Sequence, residues 1–131
     1  MVLRPGGTLS DCIWFGDNNP DTLHLGALNV SGEVMGIASF YINACPEVHA
    51  AIPIQLRGMA THPQVRGAGF GKAIVRYAIA HYAAQGADLM WCNARQVAVS
   101  FYSDLGFRIT GEPFEIGKIG IHRRMYVPLR A

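Results

Sequence analysis

The sequence predicts an α/β domain of the mixed kind, one mixed sheet with helices packed on it. Three observations carry this. Residues 54–61 read as a strand, 70–85 as an amphipathic helix and 88–93 as an apolar strand. A helix joining two strands is the connection a parallel pair needs. Residues 24–30 and 33–42 are apolar runs on either side of Ser31-Gly32, the pattern of a β-hairpin. Finally, 131 residues, 50% of them hydrophobic and 15% charged, suffice for one core without disulfides or a structural metal. Residues 1–131 are therefore expected to form a single domain.

The elements follow in order. Residues 1–22 are rich in Gly, Pro, Asp and Asn, and only Cys12-Ile13-Trp14-Phe15 interrupts them, so this stretch reads as mostly irregular. Residues 43–53 form a loop carrying Pro46 and Pro53, and Pro63 closes the strand at 54–61. In the helix, Ile74, Ala78 and Tyr82 recur at helical spacing with Val75 and Ile79 beside them, and Gly86 suits its C-terminal cap. A second helix is expected from Gln96 to Leu105, with Val97, Phe101 and Leu105 on one face and Gly106 ending it. Residues 107–110 and 119–129 read as closing strands, which gives the order β-β-β-α-β-α-β-β.

Charge is informative in its distribution. The net charge of +2 predicts no nucleic-acid partner. Residues 48–87, however, contain no Asp or Glu, and hold Arg57, Arg66, Lys72, Arg76, His49, His62 and His81. Such a local field suits a phosphate-bearing cofactor, although a cluster of solvated bases has the same pattern. Cys12, Cys45 and Cys92 are odd in number and lack CxxC spacing, so neither a disulfide framework nor a metal site is expected. With no leader pattern and no apolar run of about 18 residues, the expectation is a cytoplasmic protein without a membrane partner.

Arg66-Gly67-Ala68-Gly69-Phe70-Gly71-Lys72 lies between a strand and a helix. Glycines at alternate positions let backbone N–H groups converge on one point and approach a ligand closely. The helix that follows presents its free N–H groups and positive dipole end there. Its first turns carry Lys72 and Arg76 and no acid, a like-signed arrangement that an anion would relieve. A P-loop is excluded by spacing, because Gly67 to Gly71 is one residue short and Ala73 stands where the Mg²⁺-binding hydroxyl belongs. A dinucleotide fingerprint is excluded because Lys72 replaces its third glycine; Asp88 falls near the ribose-binding distance but opens a strand.

A second constellation consists of Asn93 followed by Ala98-Val99-Ser100-Phe101-Tyr102-Ser103-Asp104-Leu105-Gly106-Phe107. Together with Arg66-x-x-Gly69-x-Gly71, it resembles the GNAT superfamily of N-acetyltransferases, whose pattern is Q/R-x-x-G-x-G/A, a strand ending in Asn, then A-x-x-F-Y-x-x-x-G-F. The resemblance spans about residues 24–129 and is sharpest over 56–107. It implies a GNAT-like, mostly antiparallel mixed sheet with a β-α-β cofactor-binding core, and acetyl transfer from acetyl-CoA to a primary amine with no metal. It also implies that backbone groups of Met59, Ala60 and Thr61 pair with the pantetheine arm. The amides of Arg66, Gly67, Ala68, Gly69, Phe70, Gly71 and Lys72 would hold the pyrophosphate. Asn93 would bond the pantetheine or order splayed strands, and Tyr102 would sit beside the thioester sulfur.

That role for Tyr102 is chemically reasonable. Amine attack on a thioester gives a tetrahedral intermediate that expels a thiolate, and a phenol can donate a proton or a hydrogen bond to that sulfur. The oxyanion can be met by a backbone N–H near Met59 or Ala60. A protonated amine must first lose a proton, and His122 is the favoured base because imidazole titrates near neutrality. His62, Glu112, Glu115 and a relayed water are alternatives, and a packing role for His122 stays open. Glu47, Glu112 and Glu115 are acids that could attract a cationic amine, with peptides, polyamines, aminoglycosides and small metabolites all candidate acceptors. The same motifs also fit a domain that holds acyl-CoA without turnover. The strand and helices that open most relatives are shortened here, which predicts exposed apolar sheet surface and a homodimer that covers it.

Overall fold

The computed structural model describes residues 12–15, 22–28, 33–61 and 69–129. Alternation along the strands decides which way the sheet faces. In β3 (Val34–Ile42), Ala38 and Phe40 are buried while Ser39 and Tyr41 point to the other side. Its partners β2 (Thr22–Leu28) and β4 (Pro53–Thr61) are antiparallel to it, in a register that puts Leu25 against Ala38 and Phe40 against Leu56. This is the predicted hairpin with one further strand.

The helix α1 (Phe70–Ala84) follows β4 and leads to β5 (Leu89–Arg95), which pairs parallel with β4. Ile74, Val75, Ala78 and Tyr82 form the buried stripe that periodicity predicts. Gly86 at φ 90 turns the chain out of the helix. β6 (Arg108–Ile116) and β7 (Gly120–Pro128) complete a seven-stranded sheet in the order β1-β2-β3-β4-β5-β7-β6, where β1 is Cys12–Phe15. Among the described residues only the β4–β5 pair is parallel.

Several boundaries differ from expectation. Cys12–Phe15 is a strand paired with β2, so the front of the chain adds an edge strand to the predicted order. β6 runs through Gly111 and Pro113 instead of stopping at Thr110. An edge strand tolerates proline, and a register shift between Thr110 and Phe114 absorbs the glycine. The second helix is broken: Gln96–Ala98 is a 3₁₀ turn, and only Val99–Ser103 is α-helical (α2). The tighter turn rotates Val97 out of the expected apolar face, leaving it 83% exposed.

Both helices pack on one face of the sheet. Leu25, Phe40, Ile54, Ile74, Met90, Met125 and Tyr102 belong to a single buried cluster there. Burying each of the larger aliphatic or aromatic side chains contributes about 1.5–3 kcal/mol. On the opposite face, the loop 43–52 lays Cys45, Val48 and Ala50 over Leu89, Trp91 and Tyr126. Asp88 anchors that loop, its carboxylate accepting the amides of Ala51 and Ile52 at 2.9 Å each. Asp88 is thus a loop anchor in the fold, a role unlike the ribose contact weighed for it. Asp88→Ala is expected to cost about 1 kcal/mol or slightly more, measured by denaturant unfolding, because two charge-assisted bonds at an exposed site are lost.

Candidate functional site

The site begins at a fork. β4 and β5 pair from Pro53 with Leu89 only as far as Leu56 with Cys92. Beyond that point β4 continues to Thr61 and β5 to Arg95 without pairing to each other. Gly58 lies just past the last pair at φ 66, where β4 and β3 slip register between Ile37 and Ser39. A positive-φ glycine within a strand is the usual seat of a bulge that bends it. The bend leaves backbone groups of β4 near Met59 and Ala60 without a partner from β5. Met59 is packed against the core and Ala60 is exposed. Gly58 was not singled out in the sequence, although a lone glycine in a strand pattern was the available signal.

The glycine turn enters α1 at the same end of the sheet. Gly69 is the N-cap residue, with φ 92 and ψ 2, and no side chain caps the helix. The first N–H groups of α1 therefore lack intrahelical acceptors, and Gly69 offers them no side-chain cap. A Cβ at Gly69 would meet nothing within 4 Å, so its glycine answers to backbone conformation and not to crowding. This uncapped, acid-free terminus fits a pyrophosphate. Arg66, Gly67, Ala68 and His62 lie outside the described residues. Lys72 is not left to an anion alone: its Nζ reaches Asp104 Oδ2 at 3.3 Å and ties α1 to the end of α2.

Tyr102, on α2, is 5% exposed. Phe101 and Phe107 meet it edge-on, with ring centroids at 4.9 and 5.4 Å. Burial, and then the neighbouring Cys92 thiol, hold its phenol well above the ordinary range. Tyr102 shares one buried cluster with Leu56 and Cys92, the last β4–β5 pair, on the helix side of the fork. Burial likewise pushes the Cys92 thiol up. Cys92 should therefore escape alkylation in the native protein and react only after unfolding, read by peptide mass mapping at pH 8.

The face away from the helices holds the remaining candidates. Asn93 Oδ1 accepts Arg124 Nε at 3.1 Å, and Arg124 Nη1 donates to Glu47 Oε2 at 2.5 Å. The Arg124 guanidinium also lies over the rings of Trp91 and Phe114, at 5.6 and 4.9 Å from their centroids. Asn93 thus ties β5 to β7, and Glu47 is occupied by an arginine. His122 is 4% exposed, pairs in register with Arg95 and stacks on Phe114. Its Nδ1 lies 2.9 Å from Gly120 O. A carbonyl can only accept, so Nδ1 carries the proton of the neutral ring and Nε2 is the basic nitrogen. The Glu47–Arg124 network escaped the sequence analysis because its members stand 77 residues apart. Of the other acids considered, Glu112 and Glu115 are exposed on β6 at the sheet edge. Exposed apolar residues remain on the sheet, with Val34, Ile37 and Ile42 of β3 at 46%, 43% and 52% exposure.

Among the described residues no group of His, Cys, Asp or Glu could hold a metal ion, and no helix is long and apolar enough to cross a membrane.

Residues 4–107, which span the fork, Tyr102 and the start of α1, fit the model of the acetyltransferase (GNAT) family. The chain belongs to the GNAT family. It is 36% identical over 129 residues to an uncharacterized N-acetyltransferase, YitI, of Bacillus subtilis, covering 98% of this chain and 86% of that one. Among solved structures, a GCN5-related N-acetyltransferase from Kribbella flavida is 27% identical with a TM-score of 0.67, over 88% of this chain and 72% of that one. An aminoglycoside 6'-N-acetyltransferase complexed with coenzyme A has a TM-score of 0.69 at 15% identity, over 86% of this chain and 76% of its own. GNAT membership makes acetyl transfer the general activity, and the GNAT fold is the α/β architecture expected.

Proposed function

We propose that this GNAT domain, residues 1–131, moves the acetyl group of acetyl-CoA to a primary amine by direct attack on the thioester. The observation that carries the reading is the fork: unpaired β4 backbone on one side, Tyr102 at its base and the uncapped α1 terminus at its mouth. The α1 amides and Lys72 would take the pyrophosphate. Met59, Ala60 and Thr61 would hydrogen-bond the pantetheine along β4, and the amide of Asn93 would donate from β5.

With the thioester in the fork, a neutral amine would add to the carbonyl carbon, and the tetrahedral intermediate would expel coenzyme A as a thiolate, which takes up the proton lost by the new amide nitrogen. A β4 N–H near Met59 or Ala60 would meet the carbonyl oxygen as it gains charge. The phenol of Tyr102 would hydrogen-bond the departing sulfur. His122 Nε2 would accept the ammonium proton before attack. The same reading makes the protein cytoplasmic, where acetyl-CoA is met. Exposed Ile116, Ile119 and Ile121 around the β6–β7 turn would give a homodimer apolar surface to bury.

The test is thiol release from acetyl-CoA in the presence of primary amines and their matched alcohols. Amine-dependent release, with N-acetyl product by mass spectrometry, is expected. Release with alcohols instead, or none with any amine while acetyl-CoA still binds, would overturn it.

A further inference from the structure

Asn93 is the first β5 residue past the last pair with β4, and alternation puts its side chain on the face opposite Cys92, with Trp91 and Arg95. Arg124 of β7 stands in register with it, and Arg124 Nε lies 3.1 Å from Asn93 Oδ1. A guanidinium has donors and no acceptor, so the oxygen of the Asn93 amide is the atom that must face it. A flipped amide would set its own N–H groups against those of Arg124. Nδ2 is thereby left on the side away from β7, where β4 has parted from β5, and it has no acceptor among the described residues.

Arg124 is itself held from several sides. Its Nη1 donates to Glu47 Oε2 at 2.5 Å. Its guanidinium lies over Trp91 of β5 and Phe114 of β6, the strands on either side of β7. Glu47 in turn rests against Gly111, where a Cβ would come within 3.3 Å of its carboxylate. An arginine bonded through both Nε and Nη1 presents its Nε–H in one direction. The bond to Asn93 is not what registers these strands, because β5 and β7 pair without a break from Leu89 with Pro128 to Arg95 with His122. We propose that Arg124 is a positioning residue, which fixes the Asn93 side-chain amide with its N–H groups turned into the fork, where they donate to a carbonyl of the pantetheine arm. The proposal rests on the acetyl-CoA reading above and adds the residue that sets which way Asn93 donates. Glu47 then serves by holding Arg124 and not by drawing a cationic amine.

The test is calorimetric titration of the wild type, Asn93→Ala, Asn93→Asp, Arg124→Lys and the Asn93→Ala/Arg124→Lys pair. Each is titrated with acetyl-CoA and with 3′-phospho-ADP, the part of coenzyme A that lacks the pantetheine arm. Arg124→Lys keeps a cation for Glu47 and loses the Nε donor. Asn93→Ala and Arg124→Lys should each raise the Kd for acetyl-CoA about fivefold or more, and leave that for the nucleotide part within about twofold. The pair should bind no more weakly than Asn93→Ala, because Arg124 acts through the amide. Asn93→Asp keeps an acceptor for Arg124 but has no N–H to give, so it should weaken acetyl-CoA as the alanine does. A merely structural role would weaken both ligands alike. That result, additive losses in the pair, or an Asn93→Asp variant with wild-type affinity would each overturn the inference, the last even if Arg124→Lys failed to fold. Acetyl-CoA binding that no variant changes would overturn this inference alone, whereas no binding to the wild type would overturn the acetyl-CoA reading and this inference with it.

Discussion

Tyr102→Phe is expected to lower kcat by about 100-fold or more while leaving the Kd for acetyl-CoA within a few-fold of wild type. The substitution removes one oxygen and keeps the ring that Phe101 and Phe107 pack against. Stability should change by about 1 kcal/mol or less, so a loss of rate can be assigned to the hydroxyl. A departing thiolate has a conjugate acid near 8.5, and even an ordinary phenol titrates near 10. Burial raises Tyr102 further. Proton transfer from the phenol is therefore uphill, and in the proposed reaction Tyr102 would act as a neutral hydrogen-bond donor to the sulfur as charge develops. The sign for pH follows. The donor form is the protonated one, a raised pKa keeps it protonated, and so Tyr102 should impose no alkaline fall in kcat up to about pH 10. Steady-state rates with a saturating amine, beside calorimetry with acetyl-CoA, check both. A fall of less than about threefold would remove the hydroxyl from the chemistry.

Gly69→Val is expected to raise the Kd for acetyl-CoA by about 10-fold or more. At φ 92 a β-branched residue is strained by roughly 1–3 kcal/mol, although no neighbour crowds the position. Relief of that strain would rotate the peptide that starts α1 and turn its free amides away from the proposed pyrophosphate site. Gly86→Val is the matched control. Gly86 has φ 90, also with nothing within 4 Å of its Cβ position, but it sits at the far end of α1. Both variants should lose comparable stability by thermal unfolding. Only Gly69→Val should lose affinity for acetyl-CoA, and equal losses would mean that the N-terminal turn of α1 does not hold it.

Much of this architecture was legible because it is local. The stripe Ile74, Ala78 and Tyr82 is a periodicity, and the glycine turn and Ala98–Phe107 are short patterns at fixed spacing. What escaped the sequence was non-local or set by context. Gln96–Leu105 has an apolar spacing that suits a helix, yet the chain leaves β5 in a 3₁₀ turn and Val97 ends in solvent. Gly111 and Pro113 read as strand breakers, but β6 is an edge where neither removes a bond to a second partner. Cys12–Phe15 is too short to stand out against its Gly- and Pro-rich flanks and is specified by pairing with β2. At the candidate site, Tyr102 and the α1 terminus stand out from motifs. The fork itself depends on Gly58, and the Glu47, Arg124 and Asn93 arrangement depends on which residues the sheet brings to one face.

The most direct test of the central claim is calorimetric titration of the protein with acetyl-CoA, set beside ATP and NAD at matched concentration. Saturable one-site binding of acetyl-CoA, with ATP and NAD giving little or no heat, is the predicted result. Failure of acetyl-CoA to bind, or equal binding of ATP, would contradict the assignment of the fork and the α1 terminus to an acetyl-CoA site.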